Sequence, residues 1–136
     1  MRRLSFVILI LSVFCFAQTS IDYGYFSTYS DTLTDTTVVW ATDSGCLLSS
    51  IYLYNMSADS TTFVFFYNSA DTSLVGTTEP TLWYCVPKGE NLTIQFYGAG
   101  VPFSDALQYV ASNFYNKAGL PNAAVLINIT YYDSWR

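Results

Sequence analysis

A two-residue hydrophobic period recurs along this chain and confines it to β structure. In 91–97 (NLTIQFY), Leu92, Ile94 and Phe96 alternate with Asn91, Thr93 and Gln95. In 123–132 (AAVLINITYY), Val125, Ile127, Ile129 and Tyr131 take one parity, which turns Asn128 to the other. Only an extended strand puts every second side chain on one face, so these segments read as half-buried strands. Further β-branched and aromatic runs follow the same logic: 36–41 (TTVVWA), Cys46–Asn55, 61–67 (TTFVFFY) and 81–86 (TLWYCV). The third is apolar on both faces and so belongs in the middle of a sheet. In Cys46–Asn55, Leu47, Ile51 and Leu53 share one parity and Ser50, Tyr52 and Tyr54 the other. Turn signals at 42–45, 55–60, 76–80 and 87–90 separate the runs. The pattern predicts a mainly all-β domain, an antiparallel β-sandwich of six to eight short strands.

One segment departs from that rule. In 104–117 (SDALQYVASNFYNK), apolar residues at 106, 107, 110, 111, 114 and 115 follow a helical stripe. Ser104 suits the N-cap, and Gly119 with Pro121 the stop. The spacing predicts one short helix over 104–117, with an irregular strand through Ala106, Gln108 and Val110 as the alternative.

Residues 1–17 combine a basic start, Arg2-Arg3, with the apolar 4–16 and small residues at Cys15 and Ala17. This is the pattern of a secretory signal peptide, too short to span a bilayer comfortably. The expected product is secreted, extracellular or at the cell surface, with the periplasm a further destination, and has no membrane segment in its mature form. The polar 18–35 reads as a flexible N-terminal lead-in, and 36–136 as the sandwich domain. Beyond residue 17 the chain carries ten acids against Lys88, Lys117 and Arg136. It has no basic patch, which argues against nucleic acid and anionic lipid as partners.

Two cysteines remain after cleavage, Cys46 and Cys85. In an exported domain they are expected to form one disulfide, worth roughly 4 kcal/mol for a loop of that length. Sequons at Asn55, Asn91 and Asn128 are candidate glycan acceptors, and all three read as outward or loop positions.

The chain has no histidine, which removes Ser-His and Cys-His dyads and the usual zinc and copper sites. Glu79 and Glu90 are a conceivable acid pair, but both sit in turn sequences. Asp31, Asp35 and Asp43 lack the spacing of a calcium loop. Gly98 and Gly100 read as a bend and not as a phosphate loop. No catalytic residue, metal or cofactor is therefore expected. Aromatics are the remaining functional signal: three of the 25 lie in residues 1–17, leaving 22 for the mature chain. Tyr52, Tyr54, Tyr97 and Tyr132 fall on outward positions. With Trp83 and Trp135 they are the candidates for a protein interface or for stacking on sugars.

The block from Cys46 onward contains Gly76-Thr77-Thr78-Glu79-Pro80, Val86-Pro87-Lys88-Gly89-Glu90 and Gly98-Ala99-Gly100-Val101-Pro102-Phe103, and it ends at Tyr131-Tyr132. In that order it resembles small β-sandwich proteins associated with phage virions and tails. The resemblance covers about two-thirds of the chain, and the signal peptide, the cysteine pair and the 104–117 segment depart from it. It implies a structural or adhesive, non-enzymatic role. Together with the composition it gives two expectations. The first is a secreted subunit of a surface structure or fibre whose partner is itself or another surface protein. The second is a monomeric extracellular carbohydrate-binding or adhesion module that takes glycans.

Overall fold

In the computed structural model the described residues are 26–132. The expected signal peptide, residues 18–25 and Trp135 lie outside them. Nine strands follow in order: β1 (Phe26–Leu33), β2 (Val39–Thr42), β3 (Cys46–Asn55), β4 (Thr62–Asn68), β5 (Leu82–Val86), β6 (Asn91–Gln95), β7 (Val101–Phe103), β8 (Leu107–Ser112) and β9 (Val125–Tyr132). They form two antiparallel sheets packed face to face. Sheet A has the order β1-β9-β3-β6, with β7 also on β3; sheet B has the order β2-β8-β4-β5. The β-sandwich read from the alternation is the observed fold.

The alternation sets the core. Ile127, Ile129 and Val125 of β9 and Ile51 and Leu53 of β3 face inward from sheet A. Val64 and Phe66 of β4, Leu107, Tyr109 and Ala111 of β8, and Val86 of β5 meet them from sheet B. In β3 the inward parity changes from Cys46 and Leu48 to Ile51 and Leu53, because the register slips between Leu48 and Ser50. That bulge turns Leu47 outward, against the single parity expected for the whole run.

Three further expectations are corrected. The segment 26–33 is not part of a lead-in: it is β1, paired residue for residue with β9 from Phe26↔Tyr132 to Leu33↔Val125. There is no helix at 104–117. Residues 107–112 are β8, and its neighbours are held by side chains that a helix would leave unused. Asn68 Oδ1 accepts from the Asp105 N–H at 2.9 Å, and Ser112 Oγ donates to the Lys117 carbonyl at 2.9 Å.

Cys46 and Cys85 are not bonded to each other either. Cys46 is buried between the sheets. Cys85 alternates with the inward Tyr84 and Val86 and lies exposed on the outer side of sheet B as a free thiol. The body of sheet B separates the two, and no disulfide geometry spans that thickness. Under native conditions a thiol reagent is therefore expected to modify Cys85 rapidly and Cys46 only on unfolding. Cys85→Ser should abolish the rapid phase, and a reductant should leave the melting temperature unchanged.

Candidate functional site

The outer face of sheet B is rich in large apolar side chains. Phe63, Phe65 and Tyr67 of β4 and Val110 of β8 point out of the sandwich, and Phe65, Tyr67 and Val110 form a second buried cluster with Val38, Phe63 and Val75 around it. Such a face is buried only if something covers it, and two loops do. The first, 69–81, is pinned by Gln108, which emerges from β8 on this side and is fully buried. Its Nε2 donates to the carbonyls of Ser69 at 2.6 Å and Asp71 at 2.7 Å, and its Oε1 accepts from the Ser73 N–H at 3.0 Å. The second, 113–124, is tied at its root by the Asn113 N–H donating to the Gly119 carbonyl at 3.1 Å.

The loops press on each other at Gly76. Its φ of 80° lies in the left-handed region, and a Cβ there would collide with the Asn116 carbonyl oxygen, so glycine is required. Between them lies a half-open cleft of about 260 Å³, floored by Phe65 and Tyr67 and rimmed by Thr77, Thr78, Glu79, Tyr115 and Asn116. That is slightly below the roughly 300 Å³ at which small-molecule pockets begin, and it suits a single ring.

Beside the cleft stands an aromatic cluster. Tyr115 packs edge-on to Trp83 at 4.8 Å between ring centroids, and also contacts Phe63 at 5.9 Å and Phe65 at 6.3 Å. Trp83 and Tyr115 nevertheless stay 45% and 53% exposed, and Leu74, Phe114 and Leu120 on the same loops are exposed too. The seven exposed large apolar residues among those described are these five plus Met56 and Tyr97. Five of the seven thus belong to β5 or to the loops over sheet B. Cys85 shares this side, directly opposite Phe63 on β4.

The other sequence candidates separate. Tyr52 and Tyr54 lie half-buried on the outer face of sheet A, and Tyr132 lies at the end of β9. Tyr97, 92% exposed, stands on the loop after β6. Only Trp83 belongs to the sheet B cluster. Tyr115 and Phe63, which complete that cluster, were missed because 104–117 reads as helical and 61–67 as a central strand.

Asn55 is not outward. It is fully buried, with Nδ2 donating to the Ser60 and Val86 carbonyls at 2.9 and 3.0 Å and Oδ1 accepting from the Ser57 N–H at 3.0 Å. Asn91 is exposed and Asn128 half-buried on the outer face of sheet A.

Glu79 and Glu90 flank opposite ends of β5. Both are exposed turn residues, and of the two only Glu79 lines the cleft. Asp31 accepts from Tyr109 Oη at 2.9 Å, Asp35 accepts from the Thr37 N–H at 2.8 Å, and Asp43 is an exposed turn residue. Burial raises the Tyr109 hydroxyl's pKa, with the Asp31 hydrogen bond adding to it. The Tyr67 hydroxyl is buried without a hydrogen-bond partner, and desolvation pushes its pKa up to about 12.

No protein-family model matches the sequence, and no curated protein matches it either.

Two outcomes are expected at this face. Gln108→Ala strips partners from three loop backbone groups and should cost about 3 kcal/mol, with hydrogen exchange accelerated at the Ser73 amide. For Tyr67, both folded and unfolded states hold a neutral phenol below pH 10. Between pH 10 and about 12 only the unfolded chain ionises, so stability falls as pH rises. Tyr67→Phe should remove one group's share of that alkaline slope and, by deleting an unpaired buried hydroxyl, leave neutral-pH stability equal or higher. Denaturant titrations from pH 8 to 12 measure both.

Proposed function

We propose that the protein is an exported, non-catalytic β-sandwich that acts through protein–protein contact as a subunit of a surface structure or fibre, with the outer side of sheet B as its contact face. The observation that carries this reading is the gathering of Leu74, Trp83, Phe114, Tyr115 and Leu120 on β5 and the loops over sheet B. Chains that work alone rarely leave so much apolar surface together, and interfaces are enriched in such aromatic anchors. The partner is a second copy or another surface protein. The resemblance to small virion- and tail-associated sandwiches points the same way.

A second reading rests on the cleft beside Trp83. An aromatic platform next to Thr77, Thr78, Glu79 and Asn116 has the composition of a site for one sugar ring, stacked on carbon and hydrogen-bonded at its rim. The two readings separate in solution.

Light scattering coupled to size-exclusion chromatography should show concentration-dependent assembly of the exported protein. Trp83→Ala and Tyr115→Ala should each weaken that assembly about 30-fold if they are anchors worth ~2 kcal/mol. A monomer at every concentration removes self-assembly. Binding to a glycan panel, lost in Trp83→Ala, would then establish the second reading.

A further inference from the structure

The three sequons are not equivalent in the folded chain, and two of them share a face with an unusual property. On the outer side of sheet A, alternation presents Thr28, Ser30 and Thr32 of β1, Leu126, Asn128, Thr130 and Tyr132 of β9, Leu47, Tyr52 and Tyr54 of β3, and Asn91, Thr93 and Gln95 of β6. None is charged. Pairing registers then fix the neighbours. Tyr52 lies between Thr93 and Asn128, and Tyr54 between Asn91 and Leu126. Because residues i and i+2 of a strand share a face, each acceptor amide is accompanied outward by the threonine of its own sequon, Thr93 for Asn91 and Thr130 for Asn128. The two asparagines stand two strands and two residues apart, about 12 Å at ordinary sheet spacings. That leaves room for two glycans side by side over Tyr52 and Tyr54.

Asn55 is the opposite case. Both hydrogens of its Nδ2 are committed to carbonyls, and the side chain is fully enclosed. A sugar on that nitrogen would remove a hydrogen bond and force a bulky polar group into the sandwich, so a chain carrying one cannot reach this fold.

We propose that Asn91 and Asn128 are the N-glycan acceptors of the folded protein and that Asn55 is a structural asparagine inside an unused sequon. In the reaction, the asparagine Nδ2 displaces the diphosphate of a polyprenyl-diphosphate-linked oligosaccharide. A bond forms between Nδ2 and the anomeric carbon, the bond from that carbon to the diphosphate oxygen breaks, and one amide proton leaves to solvent. The glycans cover the uncharged face of sheet A and leave the apolar face of sheet B open. The proposal rests on the export reading and not on what sheet B binds.

The test expresses the full chain behind a cleavable leader in a secretory host that N-glycosylates. Secreted folded protein is treated with peptide N-glycosidase in heavy-oxygen water, which marks each formerly occupied asparagine by mass. The expected result is label at Asn91 and Asn128 and none at Asn55. Ser57→Ala, which destroys the Asn55 sequon yet keeps the backbone N–H that donates to Asn55 Oδ1, should leave the glycan count at two. The double variant Asn91→Gln, Asn128→Gln should fold and carry no glycan. Label at Asn55 in folded protein, or a bare Asn91 or Asn128, overturns the proposal. The chain with only its own residues 1–17 as leader, run in parallel, tests export separately: retention in the cell would sink that reading while the acceptor assignment is still scored.

Discussion

The three hydrogen bonds of Gln108 determine how this sandwich is built. A polar side chain fully buried on the outer side of a sheet is affordable only when every donor and acceptor is met, and here two loop carbonyls and one loop N–H meet them. The result is a loop laid across sheet B that makes a third layer. Phe65, Tyr67 and Val110, which would otherwise face water, become a second small core. The cleft, the collision-limited glycine at Gly76 and the aromatic cluster around Tyr115 all follow from holding that layer in place.

The same clamp makes the molecule two-sided. Among the described residues, the outer side of sheet A carries hydroxyl, amide and tyrosine groups, with Leu47 and Leu126 among them. The loops over sheet B, by contrast, leave Leu74, Phe114 and Leu120 exposed.

This third layer also explains which parts of the fold could be read from sequence. Six of the nine strands announced themselves by alternation or by β-branched runs, because one or both faces of each meet the main core in a regular way. Strand β8 did not. All six of its residues are buried, on one side by the core and on the other by the loop that Gln108 holds, so its apolar residues occur on both parities. A strand covered on both faces by different layers loses its period, and the residue spacing then fits a helix equally well. Strand β1 was hidden for another reason: Thr28, Ser30 and Thr32 face outward at a sheet edge, and only Tyr29 and Leu33 carry an inward apolar signal. The cysteine pairing failed because spacing says nothing of which face a residue takes, and Cys85 takes the outer one. Of the site, Trp83 was legible as an aromatic in a short strand. Tyr115 was not, because its position depends on where the 113–124 loop folds back.

The edges of the two sheets bear on the proposed association. An unpaired strand edge is the commonest route to unwanted assembly, and proteins blunt it with short strands, prolines or inward-pointing charges. Strand β1, the long edge of sheet A, turns Asp31 into the sandwich, where its carboxylate accepts from Tyr109. An inward-pointing charge on an edge strand is one of the devices that discourage a further strand from pairing there. Strand β2 is four residues long. Strand β5 is five residues long and lies between Pro80 and Pro87. These three edges carry such devices, whereas β6, the other edge of sheet A, is five residues long and has neither proline nor charge. On the proposed reading the contact surface is instead the face of sheet B, where Trp83 and Tyr115 already pack against each other.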